Sequence, residues 1–263
     1  MAARVPFGER YVAGRSAVHV TDARVKLPAT LAYIFAVTLT PVGQWPALGL
    51  LAVPLAAALL LSRLSPLVVL RRSALALPFV LAAVPLMFTK EGEVLFNVPL
   101  FGWTASPEGL EALLSILAKS WLSVMAAVIL TATTPAAELL RAMRTLGLPR
   151  LLVATVSFMY RYLFVIGEEA LSLMRARDSR SARLPGQRGG GTLGWRARVT
   201  GNMVGSLFLR TYERSERVYA AMQARGYDGE PRFLWRRAWR ATEAVLVVGL
   251  VAYLAGVELY ARY

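Results

Sequence analysis

The sequence has no cysteine, which excludes a disulfide framework, a thiolate nucleophile and any cysteine-based metal site. It has one histidine, His19, and a lone imidazole cannot cage a metal without carboxylate help. Asp22 is the one candidate nearby, so His19 and Asp22 read either as a metal pair or, in preference, as a helix-start cap. Lysine is nearly absent as well: Lys26, Lys90 and Lys119 are the only three. The first 28 residues are polar and carry arginines with no apolar run, so no cleavable signal peptide is expected.

Acid is also in short supply. Against 16 Asp+Glu stand 30 Lys+Arg, for a net charge of +14 and a pI near 10.8. The excess is therefore arginine, whose planar fork suits carboxylates, phosphates and lipid headgroups better than an ammonium does. Nucleic acid is the usual partner of such charge, but no zinc-ligand set, aromatic RNP-like motif or soluble recognition domain accompanies it. What the chain has in abundance is oil: 56 % hydrophobic residues and a mean hydropathy of +0.49, above the roughly 45–50 % of ordinary globular chains. Oil and positive charge together imply an integral membrane protein with a basic cytoplasmic face.

Apolar runs give the spans. One opens at Leu27-Pro28 and lasts to Thr40, and after the uncharged break Pro41 to Pro46 a second runs from Ala47 to Leu61. Arg63, Arg71 and Arg72 bracket a turn before a third span, Ser73 to Phe88, which Pro78 and Pro85 should bend. Lys90, Glu91, Glu93 and Glu108 fall in a Gly/Pro/Asn/Trp-bearing loop, Leu110 to Thr131 makes a fourth helix, and Ala241 to Tyr260 the last. Arginine crowds the amino terminus, the Arg63 to Arg72 turn and Pro135 to Arg240, so the positive-inside rule puts these in the cytoplasm. Leu151 to Gly167 is apolar for a helix's length but holds Arg161, and an arginine at bilayer centre costs roughly 2.5–3.5 kcal/mol on insertion scales. It reads as a helix lying against the bundle at the cytoplasmic face, with a span as the alternative.

Leu146 to Gly229 is the stretch that everything else anchors. A helix beginning at Leu148-Pro149 carries Arg161, Glu168, Glu169, Arg175, Arg177 and Arg180 and is expected to end near Leu184-Pro185-Gly186. The joint Gly186 to Thr192 is glycine-rich, but it lacks the Gly-Lys-Ser/Thr spacing and the preceding strand of a phosphate loop, so ATP binding by this chain is not expected. A second helix, from about Thr200 to Ala224, aligns Arg210, Arg214 and Arg217 on one face and Val204, Phe208, Tyr212, Tyr219 and Met222 on another. Each helix ends in an arginine between small residues, Ser179-Arg180-Ser181 and Ala224-Arg225-Gly226. Small neighbours let another protein approach the backbone while the guanidinium reaches a carboxylate. The alternatives are solvated helix ends favoured by the macrodipole and, for Ala224-Arg225-Gly226, a plain helix stop.

Three regions resemble the transmembrane (T) component of energy-coupling factor transporters, the CbiQ/EcfT family, nearest its cobalt/nickel branch. His19-Val20-Thr21-Asp22-Ala23-Arg24-Val25-Lys26-Leu27 is similar to the family's opening, His-x-Leu-Asp-Pro-Arg-x-Lys-Leu. Leu148-Pro149, Met159 to Phe164 and Glu168-Glu169-Ala170 carry the middle. Ala221 to Tyr227 matches the second Ala-Arg-Gly box, while Ser179-Arg180-Ser181 keeps the arginine of the first and replaces both neighbours. The resemblance implies that each box docks a coupling helix on one of two cytoplasmic ATPase subunits, which bind the ATP, while the membrane part holds a substrate-binding S component. Arg177, Arg210, Arg214 and Arg217 would support those helices.

The expectation is therefore an all-α, polytopic inner or plasma membrane protein of about five spans, amino terminus cytoplasmic, in contact with membrane lipid and not nucleic acid. It divides into amino-terminal spans (1–134), a cytoplasmic pair of coupling helices (135–240) and a last span (241–263). Its expected role is non-catalytic, in cobalt or nickel import, with no cofactor or metal held by the chain itself. Two rivals remain at this point, an arginine-rich membrane scaffold and a membrane enzyme acting on anionic lipid or phosphate substrates; the enzyme would need a clustered acid/base set.

Overall fold

A computed structural model describes residues 11–14, 16–74, 84–85, 96–98, 103–105, 107–180, 192–229 and 241–263. They fold as an all-α protein that divides into two compact units. One comprises Arg10–Leu146 with Arg236–Tyr263, and the other contains Gly147–Trp235.

In the first unit, Ser16 caps the short α1 (Ala17–Val20) by accepting from the His19 backbone amide at 3.4 Å. Asp22 then caps α2 (Ala23–Leu39), accepting from the Arg24 amide at 3.0 Å. Pro46 enters α3 (Trp45–Ser62) in its first turn, where its missing amide proton would have no helical partner anyway. Arg63 ends that helix in the left-handed conformation. The expected turn from Arg63 to Arg72 is largely helical: Ser65-Pro66 opens α4 (Pro66–Ser73), and Arg71 and Arg72 occupy its last turn, where the dipole welcomes cations. Most of the expected third span lies outside the described residues. The loop beyond it holds a two-stranded antiparallel ribbon, β1 (Phe96–Val98) on β2 (Trp103–Ala105), with Asn97 opposite Thr104. Then come α5 (Pro107–Thr133), α6 (Ala136–Thr145) and, after the second unit, α9 (Ala241–Arg262).

The core of this unit lies where α2, α3, α5 and α9 meet. Tyr33, Ala36, Val37, Ala47, Leu51, Ile129 and Leu254 are buried together. Small residues recur at the contacts, as expected where lipid leaves close packing to drive helix association. Two tyrosines tie helices through backbone carbonyls: the Tyr33 hydroxyl donates to Leu51 and that of Tyr253 to Leu50, each at 2.9 Å. α6 packs on α2 through fully buried Ala142 against Ala23 and Leu27.

Gly43, at φ +88°, turns the chain from α2 into α3, and its amide donates to the Ser115 hydroxyl at 3.3 Å. A Cβ there would stand 2.7 Å from Glu111 Oε1. The carboxylate can swing away, so the backbone sets the cost: Gly43→Ala should destabilise by about 1–2 kcal/mol, the left-handed penalty. Thermal unfolding of the detergent-solubilised protein measures it, and Glu111→Ala in the same chain should recover little. A wild-type melting profile for Gly43→Ala would contradict this.

The second unit is two long helices, α7 (Arg150–Arg180) and α8 (Leu193–Ala224). α7 starts just after Pro149, whose carbonyl takes the Val153 amide at 3.2 Å, and it runs unbroken to the last described residue before 192. α8 begins several residues ahead of the expected Thr200, because Thr192 caps it by accepting from the Trp195 amide. The rest of the glycine-rich joint lies outside the described residues.

Among the described residues, four helices are long and apolar enough to cross a membrane: α3, α5, α7 and, from Glu243, α9. This is a multi-pass membrane protein. α2, at 17 residues, reaches only about 25 Å, short of the ~30 Å hydrocarbon core. α7 was expected against the bundle, but it has the length and composition of a span, the alternative left open above.

Candidate docking arginines

α8 stops for a local reason. The Tyr227 amide returns to the Met222 carbonyl at 3.0 Å and the Gly226 amide to Gln223 at 2.9 Å, the paired bonds of a Schellman cap, with Gly226 at φ +74°. Tyr227 then lays its ring edge-on to Phe158 of α7, centroids 6.4 Å apart. Ala224-Arg225-Gly226 is thus a helix stop, and the stop leaves Arg225 exposed beside a glycine with no atom within 4 Å of where a Cβ would stand. Being a stop does not compete with receiving a partner, since the cap uses only backbone groups.

Arg180 is the last residue of α7 and is exposed. Its neighbour Ser179 folds its hydroxyl back onto the Ala176 carbonyl at 2.9 Å. Arg177 grips Asp178 with Nη2 at 2.9 Å and Nε at 3.2 Å. Ser181 lies outside the described residues.

The three aligned arginines of α8 have different surroundings. Arg210 reaches across to Glu169 of α7 at 2.8 Å, a cross-helix tie that one-helix spacing could not reveal. Arg217 stands 3.8 Å from Glu213 on its own helix, the pairing that the i,i+4 spacing implies. Arg214 is exposed and lines the groove between the helices. The two cross-helix contacts, Phe158 with Tyr227 and Glu169 with Arg210, make α7 and α8 antiparallel. Arg225 therefore sits by the Phe158 end, whereas Arg180 lies twenty-two residues further along α7, about 33 Å of helix. Sequence alone gives the two boxes their spacing along the chain; only the antiparallel pairing sends them to opposite ends.

His19 and Asp22 do not converge on a metal. The His19 Nε2 proton goes to the Val12 carbonyl at 3.0 Å, Nδ1 lies 2.7 Å from the Ser16 hydroxyl, and Asp22 caps α2. Among the described residues no group of three or more potential ligands could hold a metal ion.

The family profile described as "Cobalt transport protein", CbiQ, matches residues 14–235. The chain belongs to the CbiQ family. It is similar to the uncharacterized protein MJ1571 of Methanocaldococcus jannaschii, 28 % identical over 68 % of this chain and 61 % of that one. The putative fused cobalt transport protein CbiMQ of Methanocorpusculum labreanum is 30 % identical over 83 % of this chain and 36 % of its own. This chain thus spans less than two thirds of both. The energy-coupling factor transporter transmembrane protein EcfT of Limosilactobacillus fermentum is 27 % identical over 96 % of this chain and 97 % of its own. The resemblance read from His19 to Leu27, Met159 to Phe164 and Ala221 to Tyr227 therefore places the chain in the CbiQ/EcfT group of T components, membrane parts of energy-coupling factor transporters.

Proposed function

We propose that this protein is the coupling subunit of an energy-coupling factor importer: it takes movement from two cytoplasmic ATPase subunits and passes it to a membrane-embedded S component that holds the cargo. The observation that carries the reading is the placement of Arg180 and Arg225, both exposed, at opposite ends of one antiparallel pair. A separation on the order of 30 Å suits two receiving subunits better than one. Each guanidinium would form charge-assisted bonds to acidic groups in an ATPase groove. Closure of the ATPases on nucleotide would move the two ends of the pair, and the bundle would tilt the S component.

On this reading ATP is bound only by the partners, the chain is not an enzyme, and the cargo is cobalt, which the family's description names, or nickel. The arginine distribution puts the amino terminus and the helix pair on the cytoplasmic side of the cell membrane. Purification of the tagged chain from its native membrane, with identification of what accompanies it, tests this. Two nucleotide-binding subunits, alike or different, and a small apolar membrane protein are expected. A chain that emerges alone, or with an acid/base catalytic partner instead, would end the proposal.

A further inference from the structure

α3 has 18 residues, about 27 Å of helix, close to the ~30 Å hydrocarbon core of a bilayer. Trp45 opens it and Arg63 caps it, so Arg63 stands where the span meets headgroups. Just before that cap Leu60 is 78 % exposed, a lipid-facing surface that runs up to the boundary. α4 begins three residues later and is fixed to the same bundle. Val69 belongs to the core that holds Leu51 and Ile129, and Ser73 is fully buried.

The face of α4 turned away from that core mixes two kinds of side chain. Leu67 is 73 % exposed and Leu70 49 %, and Arg71, one turn on from Leu67, is exposed beside them. The helix dipole accounts for the arginine and leaves the bare leucines unexplained. In water the leucines would be misplaced, and in hydrocarbon the guanidinium would be. Only the boundary suits both, the leucines turned to acyl chains and the arginine snorkelling to the phosphates.

Charge selects the lipid. No Asp or Glu occurs between Asp22 and Glu91, so α2, α3 and α4 carry their cations without a carboxylate of their own. Arg63 and Arg71 are exposed and make no ion pair among the described residues. A guanidinium fork takes two phosphate oxygens; a zwitterionic head would bring its own cation up to it, and an anionic one does not. We infer that α4 is an interfacial helix that binds anionic phospholipid, with Arg63 and Arg71 on the headgroup phosphates and Leu67 and Leu70 among the first methylenes of the acyl chains. This rests on the chain being a multi-pass membrane protein and not on the coupling role.

The chain has no cysteine, so a nitroxide placed on Leu67→Cys of the full-length protein in vesicles reports the depth of α4 alone. Native mass spectrometry in detergent counts the lipid retained, with phosphatidylglycerol and phosphatidylcholine added at equal mole fraction. Dissolved oxygen should relax the nitroxide more than a water-soluble nickel chelate does, and phosphatidylglycerol should be retained in preference. Arg63→Gln and Arg71→Gln should each lower that retention about fivefold, as expected for one guanidinium near an anionic surface. Arg217→Gln, which removes the same charge from α8, should leave it near the wild-type value. Equal retention of the two lipids would overturn the assignment, as would an Arg71→Gln no different from Arg217→Gln or a nitroxide relaxed chiefly by the chelate. A nitroxide shielded from both relaxants would overturn it too, because a protein and not lipid would then cover α4. Loss of ATPase copurification bears on the coupling reading and leaves this one intact.

Discussion

Arg225→Ala is expected to strip the ATPase subunits from the complex while the chain itself stays folded in the membrane. The residue is exposed and its own structural duty is carried by backbone groups: its amide donates to Met222 at 3.1 Å, and the cap that follows uses Gly226 and Tyr227. Alanine keeps all of these bonds. Lost is a guanidinium that, once docked, is desolvated against a partner's carboxylates, and truncating one member of such a pair costs about 2–5 kcal/mol. That corresponds to roughly 30- to 4,000-fold weaker association, enough to empty a pull-down at micromolar concentrations. Arg225→Lys should fall between, because an ammonium keeps the charge and loses the two-pronged geometry. Arg180→Ala should act in the same direction and less strongly, since the Ser179 hydroxyl is already turned back to Ala176. Substrate binding by the S component should not follow either change. Copurified ATPase per chain and transport in vesicles are the readouts, and wild-type values of both for Arg225→Ala would remove the docking role.

The two units have different energetics, and this explains why such sites fall in the second. The bundle of α2, α3, α5 and α9 buries its own core around Val37, Ala47 and Leu51. α7 buries only Val153 and Ala154, and α8 has no buried residue in 32, although Val204, Phe208, Leu209, Tyr212 and Tyr219 are apolar and exposed. Exposed apolar surface of that extent is the mark of an interaction or membrane surface. A helix so poorly buried owes its place to what it meets in the assembly, which suits a part meant to move.

What the sequence made legible was whatever repeats locally. Apolar runs located α3, α5 and α9, Gly226 marked the end of α8, and Glu213 announced its pairing with Arg217. The helix Pro66–Ser73 was missed although Ser65-Pro66 is a start signal, because Arg71 and Arg72 read as a loop between spans. Thr192 was lost in its glycines, though a threonine immediately before a helix is a sound cap. The strands at Phe96 and Trp103 are too short for periodicity to find. Contacts between distant segments were the hardest: nothing in the sequence joins Glu169 to Arg210, or Lys119 to its partners in α2 and α9. Lys119 stands inside an apolar helix, where a cation either pairs or snorkels, and spacing alone does not say which.

The partners of Lys119 supply the second large effect: Lys119→Met should unfold the bundle far more readily than the loss of one hydrogen bond would, and Glu258→Gln in the same chain should restore most of the stability. Lys119 Nζ donates to the Thr40 carbonyl at the end of α2, and the Thr40 hydroxyl donates to Glu258 Oε1 of α9 at 2.8 Å. Three helices thus close on one cation and one carboxylate. The other oxygen, Oε2, is buried without a hydrogen bond, and the nearest recorded cation to it, Arg262 Nε, stands 3.9 Å away. Removing the ammonium leaves Glu258 with only the Thr40 hydroxyl and Arg262, and the loss is bounded above by the about 3–5 kcal/mol of a buried pair broken on one side. Were the link only a polar hydrogen bond between membrane helices, roughly 0.6 kcal/mol would be typical. The two magnitudes are far enough apart for a double-mutant cycle in graded SDS unfolding to choose between them. A coupling energy of several kcal/mol assigns Lys119 and Glu258 to a charge pair that pins α2, α5 and α9 together; one below about 1 kcal/mol would reduce Lys119 to a snorkelling side chain whose ammonium is satisfied by water and the Thr40 carbonyl.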